Sequence, residues 1–377
     1  MRSHRGRRAD DGFVLIALSL VLVTLILFSG ALVAHAAAEL QSAQRSQASL
    51  QALYMAEGGV DQAIVQLRQN SSWPGGSGSL GSSNTYTVSI QALAGNRQRL
   101  TVQGSSPLFQ GTVSRSIEVI VRSTPTPLFP FAMFGNQSVE MSGNAQTDSY
   151  DSSLGPYAPG TAGTAGDVGT NAVASGSVNL SGNARVKGNV TVGPGGNPNA
   201  VIQLSDNATI TGTRASASTA TPLPPVTIPG GVTNRGTLQV GGNSTVTLPG
   251  GTYWYNQIKI DGNGRLNFTG PATLYVSGSL KITGNGTATA GNRPPNLTVY
   301  IAGHDEIEVS GNGILYGAVY APQSEVEVKG NGVLFGAMIG REVDNKGNGI
   351  VHYDQALRQA GGGTGNQVQV LSWQDLS

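Results

Sequence analysis

Few side chains in this sequence have the type and spacing for chemistry. Asp148 and Asp151 stand three residues apart in QTDSYDSSLG. A carboxylate pair can act as acid and base, or acid and nucleophile, on a glycosidic bond when a fold holds the two roughly 5–9.5 Å apart. The same residues suit an Asx-capped loop, which needs no reaction to explain it. Asp261 and the triplet His304-Asp305-Glu306 complete the acidic candidates; the triplet enters a strand whose next charge, Glu308, alternates outward, as on a solvated face. His35 and His352 stand alone, so no histidine cluster suggests a metal. The absence of cysteine removes disulfides, thiol catalysis and thiolate metal sites together. Calcium nonapeptide repeats place Asp after Gly-x-Gly, whereas the GNG triplets here precede Arg, Thr, Ile and Val. GGGTGN (Gly361–Asn366) lacks the lysine of a phosphate loop. No catalytic residue, metal or cofactor is assigned, and the chain is not expected to be an enzyme.

The elements that carry these residues begin with an apolar run. Gly12 to Ala38, GFVLIALSLVLVTLILFSGALVAHAAA, contains no Asp, Glu, Lys or Arg. About 20 apolar residues at ~1.5 Å rise cross a bilayer as one helix. Arg2, Arg5, Arg7 and Arg8 precede it and would hold the N-terminus in the cytoplasm, sending the remaining chain outside the cytoplasmic membrane. With a formal net charge of +1 and 11% charged residues, no basic surface suggests nucleic acid. A secretory signal is the first alternative, since Ala34-His35-Ala36 fits the small-x-small cleavage rule, although such apolar centres usually run 7–15 residues. A plain signal anchor is the second.

The basic leader, Gly12, Phe13 and the unbroken apolar helix together resemble a type IV prepilin. That resemblance implies cleavage after Gly12 by a prepilin peptidase, N-methylation of Phe13, and a membrane helix later drawn into a filament. The family's Glu at the fifth residue after the cut is replaced here by Ala17. A buried amine that loses its carboxylate partner costs several kcal/mol, so Ala17 implies a minor subunit rather than a bulk one.

From Glu39 to Gln69 there is no proline, and Leu40, Ala43, Leu50, Leu53/Tyr54, Val60, Ile64 and Leu67 recur at helical spacing. Counted from Phe13 the helix would be roughly 85 Å long, with a bend expected at Gly58-Gly59. ALYMAEGGVDQAIVQL (Ala52–Leu67) resembles the PilX-type minor pilin N-terminal region with its Ala-Glu-x-Gly motif. Pro74 and its glycines end the helix. Three alternating runs follow, Thr85–Leu93, Arg97–Gly104 and Thr112–Arg122, and predict a small antiparallel sheet packed on the helix. STPTPLFP (Ser123–Pro130) reads as a stiff linker.

Beyond it the chain repeats: VEMSGN (Val139), VNLSGN (Val178), IQLSDN (Ile202), LQVGGN (Leu238), IKIDGN (Ile258), LKITGN (Leu280), IEVSGN (Ile307), VEVKGN (Val326) and a degenerate VDNKGN (Val343). Many repeats lie about 20 residues apart, widening to 36 where Ser216–Pro229 is inserted. Period-two alternation ending in Gly-Asn predicts short strands and left-handed turns, wound as a parallel β-solenoid. Asn144, Asn183, Asn207, Asn243, Asn263, Asn285, Asn312 and Asn331 would then stack and bond as a ladder. This half resembles a domain that follows PilX-like N-termini, and also the bactofilin type of β-helix. DQALRQA and VQVLSWQD after Tyr353 would cap it, with Trp373 as anchor.

The expected organisation is α+β followed by all-β: leader 1–12, transmembrane and amphipathic helix 13–70, antiparallel sheet 71–122, Pro-rich linker 123–131, parallel β-solenoid 132–356, and tail or cap 357–377. The resemblances imply a minor pilin or pseudopilin of a type IV pilus or related secretion filament. Its partners would be other pilins, assembly proteins, prepilin peptidase and the cytoplasmic membrane, with surface carbohydrate or protein as a target. The alternatives are a secreted or signal-anchored β-helix enzyme acting on polysaccharide, dependent on Asp148 or Asp151, and a self-assembling structural solenoid.

Overall fold

The computed structural model describes residues 8–80, 83–109, 111–359 and 362–376. The chain forms two compact units, Met1–Thr124 with Gly365–Ser377, and Pro125–Thr364.

In the first unit α1 (Arg8–Gln69) is one helix of 62 residues. It takes in the end of the expected leader; residues before Arg8 lie outside the described ones. Behind it β1 (Gly75–Leu80), β2 (Asn84–Leu93), β3 (Arg97–Pro107) and β4 (Thr112–Pro127) form an antiparallel meander. Alternation puts Val88, Leu100, Val102, Ile117, Val119 and Val121 on the buried face, against Ala56, Val60, Ala63 and Leu67 of α1.

The buried stripe differs from the one expected. Val60 and Leu67 are buried as expected, with Leu53 and Ile64 packed beside them, but Leu40, Ala43, Leu50 and Tyr54 are exposed, and the rest of the buried stripe is Ala48, Ala52, Met55, Ala56 and Ala63. Small residues win because the helix lies very close to the strands. A Cβ on Gly59 would come within 2.7 Å of Val102 Cγ1, and one on Gly104 would overlap the Ala52 carbonyl and the Ala56 amide. Gly58-Gly59 therefore does not break α1, which stays continuous; the glycine is spent on close packing, and the sheet contact more than offsets its ~1 kcal/mol cost in helix propensity.

Two further expectations are corrected here. The stretch 123–131 is not a free spacer, because β4 continues to Pro127 and Phe129 is buried in the core of the second unit. The C-terminal tail does not cap the solenoid: the strand Gly362–Asp375 is the fifth in the first unit's sheet, beside β4. Leu376 N bonds Ser116 O, Arg115 Nη2 pairs with Asp375 Oδ2 at 2.7 Å, and Val368 joins the helix–sheet core. Trp373 is 48% exposed on that strand. The solenoid is thus inserted into a helix–sheet unit that the end of the chain completes.

The second unit is a parallel β-solenoid of 22 strands stacked in three ladders. Its levels do not follow the sequence. Val343–Asn345 of the last repeat pairs with Val139–Met141 of the first, and Ile350–Asp354 pairs with Gln146–Tyr150. From there Val178–Leu180 and Ile202–Leu204 extend the stack one way, while the repeats from Val326 back to Leu238 extend it the other. The levels at Arg214–Ser216 and Thr237–Val240, neighbours in sequence, are the two ends of the stack, and 217–236 returns the chain from one to the other. Val, Ile and Leu at alternate positions fill one continuous interior.

Candidate functional site

Each repeat ends in a turn whose Gly is left-handed, as at Gly262 (φ 62°) and Gly330 (φ 66°); Asp206 holds the same conformation (φ 57°) and accepts from Gly182 N at 2.9 Å. The next residue is Asn, and these side chains bond in one ladder. In spatial order it runs Asn207, Asn183, Asn144, Asn348, Asn331, Asn312, Asn285, Asn263, Asn243, each linked to the next by an Nδ2–H···Oδ1 bond of 2.7–3.1 Å. Asn348, from the degenerate repeat, joins the first and last repeats.

Four residues after each ladder Asn, a second column faces outward. It includes Tyr316, Phe335, His352, Asp148 and Lys187 on successive levels. Tyr316 and Phe335 stack at 4.4 Å and 4°. His352 does not stand alone, contrary to the sequence reading: its Nδ1 lies 2.6 Å from Asp148 Oδ1. Tyr157, from the loop after this strand, donates its hydroxyl to Asp148 Oδ2 at 2.9 Å and lays its ring 3.8 Å from that of His352. Lys187 Nζ stands 3.8 Å from the same carboxylate. Burial first, and the Asp148 bond second, push the Tyr157 hydroxyl well above the usual phenol range, so it stays a donor. Asp148 and His352 are 4% and 6% exposed. Asp151 instead accepts from Ser153 N and Oγ, an Asx turn. The two carboxylates therefore do not converge on a common point: one sits inside a covered cluster and the other caps its own loop. The chemistry available to the cluster is to fasten that loop to the ladder. Tyr157 and Lys187 were missed in the sequence, yet for Lys187, Asp148 and His352 the constant offset from the repeat Asn was a usable signal.

The ladder of repeat strands that precedes the Asn turns, with Leu280–Ile282, Ile307–Val309 and Val326–Val328 among its members, carries charge. Lys281 Nζ bridges Glu306 and Glu308 at 3.1 and 3.2 Å, Lys329 reaches Glu308 at 3.5 Å and also pairs with Glu327, and Lys346 joins Asp344 and Glu140 at 2.6 and 3.4 Å. Asp261 pairs with Lys259 at 2.9 Å, and His304 and Asp305 are exposed. Parallel register stacks like charges one level apart, and the lysines sit where they neutralise them. Among the described residues no group of three or more His, Asp or Glu could hold a metal ion.

Gly12 and Phe13 lie in the helical backbone of α1, and their side chains are outside the described residues. From Val14 onward the helix is long and apolar enough to cross a membrane, with none of that apolar stretch buried.

Residues 232–360 match the model of a domain of unknown function, DUF7305; they span the levels that run from Thr237 to the strand of His352. No curated protein matches the chain. Among solved structures, a glycosylated ice-binding protein from an Arctic yeast is 16% identical, over 61% of this chain and 94% of that one, with a TM-score of 0.37. An ice binding protein from an Antarctic biological consortium is 13% identical, over 63% and 96%, with a TM-score of 0.37. The competence-associated pilin ComZ from Thermus thermophilus is 12% identical, over 87% and 98%, with a TM-score of 0.24. Likenesses this distant carry no functional assignment.

Proposed function

We propose that this chain is a prepilin-like minor component of a type IV pilus or related secretion filament, which displays a β-solenoid outside the cytoplasmic membrane for adhesion or assembly. The observation that supports it best is the continuity of α1. One helix has an exposed apolar half, Val14 to Val33, and a second half that docks through Ala48, Ala52, Ala56 and Val60 onto an antiparallel sheet. Such an element can sit in lipid and later pack its apolar half among sister helices, because the folded unit hangs on the other half and is not disturbed. Ala17 in place of a carboxylate fits a minor position, with no buried amine above it to neutralise. The reading assigns the solenoid no catalysis and no cofactor. Its partners are other pilins, the assembly machinery, prepilin peptidase and the membrane; its target is a surface carbohydrate or protein, not nucleic acid.

The N-terminus of protein purified from native membranes tests this by mass spectrometry. N-methylated Phe13 is the expected first residue. A chain starting at Ala37 overturns the reading in favour of a secreted protein, and an intact Met1 overturns it in favour of a plain signal anchor.

A further inference from the structure

The ladder built from Gly251–Tyr255, Ala272–Val276 and Leu297–Ile301 carries an outward aromatic column that a supporting wall does not need. Trp254, Tyr275, Tyr300 and Tyr320 share one register position on four successive levels. Tyr275 and Tyr300 stack with centroids 5.3 Å apart and 15° between planes, while Tyr320 meets Tyr300 edge-on at 5.8 Å and 65°. Tyr320 Oη donates to the Pro224 carbonyl at 2.7 Å. Pro224 belongs to Thr221-Pro-Leu-Pro-Pro225, part of the connection that returns along the stack. A proline-rich extended chain offers carbonyls that no ladder uses and few N–H groups of its own, so a phenol standing on an aromatic surface is a suitable partner for it.

Beside this contact lies a cavity of about 240 Å³. Its walls are Tyr275, Tyr300 and Tyr320, the Thr221–Thr227 stretch, and a second proline-containing stretch, Thr126-Pro127-Leu128. The hydroxyls of Tyr275 and Tyr300 have no protein partner among the described residues. Burial raises the pKa of both, so they remain neutral donors. The described lining contains no Asp, Glu, Asn, Gln, His, Lys or Arg.

We propose that this cavity binds a neutral, proline-rich, extended segment of a partner polypeptide, with Tyr275 and Tyr300 donating to its carbonyls as Tyr320 does to Pro224. The lining selects for it. A charged ligand would lose its water without gaining a counter-charge. A sugar brings many hydroxyl donors and would find no carboxylate or amide side chain to accept them. A polyproline-like segment brings acceptors and apolar rings, the complement of what the walls offer. This inference does not depend on membrane anchorage.

Isothermal titration of the full chain in detergent with the blocked peptide acetyl-Thr-Pro-Leu-Pro-Pro-amide tests it. Saturable one-to-one binding is expected. Tyr275→Phe and Tyr300→Phe, which keep the rings and remove the donors, should each weaken it about fivefold, the worth of one neutral hydrogen bond. Tyr316→Phe, on another ladder, should leave it unchanged. The proposal is overturned by no saturable binding at about 10 mM peptide, by affinity unchanged from the parent in both Tyr275→Phe and Tyr300→Phe, or by tighter binding of maltose with the same tyrosine dependence.

Discussion

The permuted order of the solenoid makes a prediction that a sequence-ordered solenoid would reverse. Asn144 Nδ2 donates to Asn348 Oδ1 at 2.8 Å although the two are 204 residues apart. Asn207 and Asn243, from consecutive repeats, are the two ends of the ladder. Two double-mutant cycles separate the alternatives. A neutral hydrogen bond contributes a net ~0.5–1.5 kcal/mol, and these side chains are exposed, which favours the lower half of that range. Asn144→Ala removes two bonds, to Asn348 and from Asn183, and should cost about 1–1.5 kcal/mol. Asn348→Ala removes the shared bond and the one to Asn331. The double variant loses three bonds rather than four, so the pair should be coupled by about 0.5–1 kcal/mol. Asn207→Ala with Asn243→Ala should be additive within about 0.3–0.5 kcal/mol, as expected for distant sites. Guanidinium denaturation followed by tyrosine and tryptophan fluorescence reads both cycles. Additivity for Asn144 with Asn348, together with coupling for Asn207 with Asn243, would refute the stacking order.

Two further outcomes follow from the packing. Gly104→Leu should separate α1 from the sheet, because its Cβ would overlap helix backbone rather than a movable side chain, at a cost of about 3 kcal/mol or more; a thermal melt unchanged from the parent would contradict this. Glu325 has a raised pKa, from burial first and then from Asp344, Glu342, Glu327 and Glu306. Its ionised form is therefore disfavoured in the fold, and that penalty is absent below its ordinary value of 4.5 and grows as pH rises through the raised value. Glu325→Gln should stabilise by about 0.5 kcal/mol at pH 7 and be neutral near pH 4. Glu308 has the opposite sign: against the upward push of burial, a bond from Ser310 and the ammonium groups of Lys281 and Lys329 hold its pKa down. Its contribution is present above the ordinary carboxylate value and is lost as pH falls through the lowered one, so Glu308→Gln should destabilise at pH 7. The reverse pair of signs in pH-resolved denaturation would break the charge-ladder account.

Alternation and the Gly-Asn turns carried the solenoid, its inward residues and eight of the nine bonded members of the Asn ladder, missing Asn348 of the degenerate repeat, because period two and a left-handed turn are local properties of each repeat. The order of the levels was not written in them. Every coil edge offers the same backbone groups, so VDNKGN can stack on VEMSGN as well as VNLSGN can. A clue lay in Ser216–Pro229: a 20-residue connection, 217–236, spans up to ~65 Å, enough to return along eight ~4.8 Å spacings. The β1 strand was hidden in GGSGSL, whose composition reads as loop. The fifth strand was hidden because its pairing with β4 closes over the whole inserted solenoid. On α1 the large apolar side chains drew the stripe toward Leu50 and Tyr54, whereas close approach selected alanines. The Asp148–His352 contact joins distant repeats and depended on the stacking order. The tyrosine column arises from loops of unequal length, so no fixed spacing announced it.

The central claim is that a membrane-held helix becomes part of a filament. Shearing cells and probing the released filaments and the membrane pellet for this chain tests it most directly. The account predicts the chain in the sheared fraction with other pilins, and its loss from that fraction when Gly12 is replaced by a residue that blocks cleavage. Finding it only in the pellet, or free in the medium without filaments, would contradict the account.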